Sequence, residues 1–226
     1  GLSMPAAAAA IQAYGTALAV AVSNSPTTAV LSGDPGALAE AIETLAERKI
    51  FVRRLPAIDY AAHSPQMEPL KQELADALQG LTPQNIAIPF YSTVTTTAIA
   101  GTALHAQYWA DNLREPVRFS QTVQHALSEG HRCFLEVHPA QVLVRPIQEI
   151  VDHVGTEAAV YASLHRNSEG PTALLRTLGN LYCDGFAVRW ESLYPAGGNH
   201  VRLPTIAWQK HRCWLSGSDP LDNLYL

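Results

Sequence analysis

The stretch from Phe119 to Leu164 reads FSQTVQHALSEGHRCFLEVHPAQVLVRPIQEIVDHVGTEAAVYASL. Its apolar pattern switches period repeatedly. Phe119, Val123 and Leu127 recur at helical spacing, so Phe119–Leu127 reads as a helix with one apolar face. Arg132–Val137 is a short apolar run read as a buried strand, Val142–Val151 returns to helix, and Val160–Leu164 reads as another strand. Helix, strand, helix, strand in close succession points to an α/β fold with a largely parallel sheet.

Upstream, Tyr108–Leu113 is helical and Ile86–Val94 reads as a strand, Pro89 arguing for an edge position or for its beginning. Pro65 suits the start of a helix that carries Met67, Leu70, Leu74 and Leu78. Before Pro56 the pattern is different. Ala6–Tyr14 favours helix through its alanines, and Ala17–Ser23 and Thr28–Leu31 read as strands around an Asn24-Ser25-Pro26 turn. Asp34 as N-cap and Pro35 at the first helical position open a helix whose face is Leu38, Ile42 and Leu45. Ile50–Leu55 reads as a third strand. Helix, strand, strand, helix, strand is a βαββαβ unit without its first strand. Downstream of Arg166 there is one helix, Pro171–Tyr182, and then an aromatic tail punctuated by glycine and proline.

The chain has 226 residues, 47% of them hydrophobic and 15% charged, which suits one main domain with an appendage. A net charge of −5, spread along the sequence, gives no basic face for nucleic acid and no polybasic stretch for a membrane surface. The alanine-rich run after Pro5 is broken at Gln12, Tyr14 and Gly15, too soon to span a bilayer. Cys133, Cys183 and Cys213 form neither a disulfide framework nor a CxxC pair, so a reducing, cytoplasmic setting is expected. The sequence opens Gly1-Leu2-Ser3 without methionine, so it is either processed or a piece of something longer.

The segment richest in chemistry is Asp59-Tyr60-Ala61-Ala62-His63-Ser64-Pro65. A histidine lies in a loop just before a helix start, between small residues that leave its ring accessible, as a general base requires. Spacing alone does not overturn the reading of a surface or helix-capping histidine. His125 and His131 have the wrong spacing for a zinc pair, and no metal site is expected. His138 reads as structural, at the end of a strand.

Several motifs together resemble one family. Tyr60-Ala61-Ala62-His63, followed by Ser-Pro, resembles the histidine motif of the malonyl-type acyltransferases of fatty-acid and modular polyketide synthases. Val22-Ser23-Asn24-Ser25-Pro26, Leu31-Ser32-Gly33-Asp34, Pro89–Thr95, Tyr108-Trp109 through Asn112 to Phe119, Phe134–Pro139 and Leu203-Pro204-Thr205 to Trp214 are similar to family segments in the family's order. The resemblance implies the C-terminal part of an α/β-hydrolase-like acyltransferase core (56–167), a ferredoxin-like small subdomain lacking its first strand (1–55), and a post-acyltransferase linker (168–226). It implies two-step acyl transfer from acyl-coenzyme A, through an acyl-serine, to the phosphopantetheine thiol of an acyl carrier protein. His63 is then the general base. Asn112 occupies the position whose carbonyl orients that histidine.

No Gly-x-Ser-x-Gly elbow occurs in the sequence. The family's serine, oxyanion loop and carboxylate-pairing arginine would all precede Gly1, so this chain is expected not to turn over alone. Tyr60, Ala61 and Ala62 are the candidate selectivity residues. The small Ala62 favours methylmalonyl or another α-branched unit, with malonyl, or a non-carboxylated unit, left open. No tightly bound cofactor is expected. Implied partners are the carrier protein, the upstream half of the same domain, and the adjacent ketosynthase, against which Trp208, Lys210, His211, Arg212 and Trp214 of the linker would pack. A non-catalytic scaffold or docking fragment is the competing reading.

Overall fold

The computed structural model describes residues 1–55, 60–199 and 201–211. The chain divides into two units, Gly1–Phe186 and Ala187–Leu226. In the first, Ser3 caps α1 (Met4–Ala10) by accepting from the Ala6 N–H. Strands β1 (Leu18–Ser25) and β2 (Thr28–Gly33) pair antiparallel, with Ser25 opposite Thr28 at a tight turn. Gly33 ends the hairpin at φ 150°, where an added Cβ would sit 2.0 Å from the Ala17 carbonyl oxygen, so only glycine fits. Asp34 then caps α2 (Pro35–Glu47), as its sequence signals require. Ile11, Leu18 and Ala41 form the small core here, with Leu31 and Leu38 against it.

The expected third strand is not formed: Ile50–Leu55 is irregular, and Phe51 is 79% exposed. A strand exists only through a ladder. Among the described residues no strand lies beside Ile50–Leu55, and local propensity cannot replace a partner.

A single 3-10 turn, Pro65–Met67, leads into α3 (Glu68–Ala77), which packs against α4 (Ala106–Arg114). The strand expected over Ile86–Val94 shrinks to β3 (Phe90–Tyr91), paired antiparallel with β4 (Ala98–Ile99). It starts just after Pro89, which has no N–H to give a ladder. Buried Ser92 closes this hairpin by accepting from the Val94 and Thr95 N–H groups and from the Tyr108 hydroxyl.

Helix α5 (Phe119–Ser128), β5 (Cys133–Glu136), α6 (Val144–Val154) and β6 (Ala159–Ala162) follow in the expected order. Val123, Leu127, Ile147, Ile150 and Val151 make the main core, and Phe134 and Val160 pack on it. Among the described residues β5 and β6 are parallel and the other two strand pairs antiparallel, so the largely parallel sheet expected is seen only at β5–β6. Nor is β5 fully buried, since Leu135 is 44% exposed. Buried Glu136 at its end accepts from the backbone N–H groups of Val142, Leu143 and Val144, supplying the α6 N-terminus with the acceptor its sequence lacks locally. Helix α7 (Gly170–Cys183) belongs to this unit and buries Ala173 and Thr177.

In the second unit the described residues form a 3-10 turn, Trp190–Ser192, and otherwise no regular structure; Leu203, Ile206 and Trp208 are exposed. Cys213 and Trp214 lie outside the described residues. Among the described residues no helix is long and apolar enough to cross a membrane.

Candidate active site

His63 is held at both its backbone and its ring. Ser64, fully buried, donates its hydroxyl to the Ala61 carbonyl and accepts from the Gln66 N–H, so the chain turns sharply into Pro65. That turn puts His63 at φ 58°, in the left-handed region that residues carrying a Cβ seldom enter. Two contacts keep it there. The His63 N–H donates to the Leu113 carbonyl at 3.1 Å, a last-turn acceptor of α4 with no partner inside the helix. His63 Nδ1 lies 2.9 Å from the Glu115 carbonyl oxygen.

The Glu115 carbonyl is itself fixed by sequence. Pro116 pushes the residue before it out of the helical region, and Glu115 takes φ −77° and ψ 152°. The helix stops, and the carbonyl swings off its axis. Just beyond, Val117 pairs with β1: its N–H donates to Ala21 and its carbonyl accepts from Ser23, both at 2.8 Å. The orienting carbonyl is therefore clamped between α4 and the hairpin.

A carbonyl only accepts, so Nδ1 must carry the proton, and the neutral ring presents its lone pair at Nε2. Such a ring can take a proton at Nε2 and return it. The acceptor expected at Asn112 is supplied three residues later, by Glu115. Asn112 instead lines the adjoining cavity, with Ala62, His63, Leu113 and Tyr60, which is 62% exposed. Asp59 lies outside the described residues.

That cavity has a volume of about 600 Å³, and Leu74, Leu78 and Leu81 with Trp109 form its apolar wall. Sequence reading took the two helical leucines only as a packing face and gave Trp109 no role at the site. Trp109 is fixed by donating its indole N–H to the Leu104 carbonyl at 3.0 Å. Two ion pairs brace α3 to α4 beneath: Lys71–Asp111 at 2.8 Å and Arg114–Glu68 at 2.9 Å. Partial burial pushes the Asp111 carboxyl up, but hydrogen bonds from Lys71 and Gln107 outweigh it and hold the group below its ordinary 3.8. The bond to Asp111 raises Lys71 in turn.

The histidines set aside in the sequence fall elsewhere. His131 Nε2 is 2.7 Å from the Tyr91 hydroxyl, which also donates to Glu129, and His125 pairs with Glu129 at 3.3 Å. The bond to Glu129 raises the Tyr91 phenol. His138 donates its backbone N–H to Ser163 at the end of the β5–β6 pair.

A base-like histidine oriented by a backbone carbonyl, beside an apolar cavity, fits acyl transfer, and comparison with known proteins decides the family. Residues 4–188 match the model of the acyl transferase domain. The chain belongs to that family. Among its relatives, the spectinabilin polyketide synthase system protein NorC of Streptomyces orinoci is 42% identical over 205 residues, covering 91% of this chain and 9% of that protein. Erythronolide synthase EryA2 of Saccharopolyspora erythraea is 38% identical over 205 residues, 90% of this chain and 6% of that protein. Among solved structures, the acyltransferase domain from module 8 of the salinomycin polyketide synthase superposes with a TM-score of 0.81 at 37% identity, covering 84% of this chain and 45% of that one. The acyl transferase segment described here thus spans less than half of that domain and under a tenth of either relative.

Proposed function

We propose that this acyl transferase segment serves an enzyme that loads an acyl unit from coenzyme A onto the phosphopantetheine thiol of an acyl carrier protein in polyketide assembly. His63 is its general base. The observation that supports this most is the hydrogen bond from His63 Nδ1–H to the Glu115 carbonyl, which leaves Nε2 as the acceptor. In the first step Nε2 takes the proton of a serine hydroxyl as its oxygen attacks the thioester carbon, then delivers it to the departing coenzyme A sulfur. In the second, the carrier thiol gives its proton to Nε2 and attacks the acyl-serine, and the proton returns to the serine oxygen. The serine, its oxyanion donors and any carboxylate-pairing arginine come from outside these 226 residues, so the chain alone forms no acyl adduct with radiolabelled acyl-coenzyme A.

The acyl unit is methylmalonyl or another α-branched unit. Ala62 on the cavity wall leaves room beside the acyl α-carbon, with Tyr60 and Ala61 alongside. One methyl in an apolar pocket is worth about 1–3 kcal/mol of discrimination. In organisation, 1–55 is a small subdomain, 56–167 the core segment, and 168–226 a linker that packs on a neighbouring ketosynthase. No tightly bound cofactor is needed, and the setting is cytoplasmic.

The test uses the intact domain that contains this segment, offered malonyl- and methylmalonyl-coenzyme A with a carrier protein. Methylmalonyl should load faster, and His63→Ala should abolish both transfers. Equal loading by His63→Ala would leave a scaffold role, and a preference for malonyl would remove the role given to Ala62.

A further inference from the structure

The carbonyl that orients His63 depends on a strand that is itself interrupted. Val117, two residues after Glu115, is held by the Ala21 carbonyl and the Ser23 N–H of β1, both at 2.8 Å. Along β1 the register with β2 slips twice. Val20 faces Leu31 and Val22 faces Val30, which leaves Ala21 over; Ser23 faces Ala29 and Ser25 faces Thr28, which leaves Asn24 over. Each slip is a bulge, where one strand carries an extra residue and the ladder is locally broken. Ala21 and Ser23 thus clamp Val117 from a stretch with a gap in the ladder at each end.

What steadies that stretch comes from another element. Ser25, just after the second bulge, is 1% exposed and donates its hydroxyl to Glu149 Oε2 of α6 at 2.7 Å. The same hydroxyl oxygen accepts from the Thr27 N–H in the hairpin turn at 3.4 Å. Arg145, one turn earlier on α6, occupies the other Glu149 oxygen at 3.0 Å. A hydroxyl bound to a carboxylate is the charge-assisted kind of hydrogen bond, roughly twice as strong as a neutral one.

Helix α6 is a firm anchor. Ile147, Ile150 and Val151 bury it in the main core, whereas the hairpin belongs to the separate small core of Ile11, Leu18 and Ala41. A continuous route therefore runs from Glu149 to Ser25, along β1 to Val117, and across Pro116 to the Glu115 carbonyl at His63 Nδ1. Without the Ser25 hydroxyl the bulged stretch is free to shift, and Val117 carries the carbonyl with it.

We propose that Ser25 and Glu149 are positioning residues for His63: their hydrogen bond holds the Glu115 carbonyl against the ring, which keeps the proton on Nδ1 and the lone pair on Nε2. Neither residue touches the reacting atoms. Their part in catalysis rests on His63 being the base, so the ring and the turnover are read separately.

The chain is isotope-labelled in its histidine rings, and the two neutral tautomers of His63 are measured by long-range proton–nitrogen NMR. Ser25→Ala and Glu149→Ala should each lower the ratio of Nδ1–H to Nε2–H forms about three- to tenfold, the worth of the lost bond to the carbonyl. In the intact domain that contains this segment, each should lower kcat about tenfold with KM within about twofold, as a misplaced base does. The double variant should lose no more than either single one. Glu149→Gln keeps an oxygen for Ser25 and should restore most of both readouts. Ile150→Val, which trims the main core from the same helix, should move neither. Unchanged tautomers in Ser25→Ala and Glu149→Ala, an equal change in Ile150→Val, or a Glu149→Gln chain as impaired as Glu149→Ala overturns the proposal. Should Ser25→Ala not fold, Glu149→Ala, whose side chain is 32% exposed, carries the test. A ratio that falls while kcat holds supports the tie and overturns His63 as the base.

Discussion

Replacing His63 by alanine and by glycine separates the strain at this residue from its hydrogen bond. Both variants lose the ring and its bond to the Glu115 carbonyl, a net loss of about 0.5–1.5 kcal/mol. They differ in the backbone. At φ 58° a residue with a Cβ bears a steric cost of about 1–2 kcal/mol that glycine does not. Glycine gives back about 0.4–1 kcal/mol through the greater freedom of its unfolded chain. The His63→Gly chain should therefore be more stable than the His63→Ala chain by about 0.5–1 kcal/mol. It should also come within about 1 kcal/mol of the parent, although both variants have lost the ring. Urea unfolding followed by circular dichroism, fitted with a common slope, measures the difference. If the alanine chain proves as stable as the glycine chain or more so, the left-handed backbone carries no cost and the reasoning fails.

Two more outcomes follow from the same structure. Glu136→Ala strips the carboxylate from three backbone N–H groups at the start of α6 and should cost about 2–4 kcal/mol by urea midpoint, with Glu136→Gln in between; a loss under about 1 kcal/mol would mean the α6 N-terminus is satisfied another way. Asp111 sits below its ordinary 3.8, so the folded state binds that proton less tightly than the unfolded one. Its contribution, under about 1 kcal/mol for so exposed a pair, is fully present above 3.8 and drains away as pH falls through the lower folded value. Asp111→Asn should thus be less stable than the parent near neutrality and equal to it in acid, and a gap that persists in acid would assign the effect to something other than charge.

Much of the local structure was legible in order along the chain. Asp34-Pro35 opens α2, and the 3.6-residue period of Phe119, Val123 and Leu127 places α5, because each signal acts within one or two turns of its own position. The histidine motif was legible too, through the company of the other segments in their order. Strands read less well. Ile50–Leu55 and Ile86–Val94 have strand-forming side chains, but a ladder needs a partner, and propensity does not supply one.

By itself the sequence determined the helices, the parallel β5–β6 pair and the singling out of His63. Tertiary structure decided what holds that ring. The acceptor for His63 Nδ1 is a main-chain carbonyl 52 residues away, and every residue has one, so no side chain marks it as special. Only the meeting of the helix stop at Pro116, the pairing of Val117 with β1 and the turn at Ser64 brings the Glu115 carbonyl, rather than Asn112, to the ring. Side-chain chemistry is written residue by residue, whereas the direction of a carbonyl is set by where the backbone on either side of it is pinned.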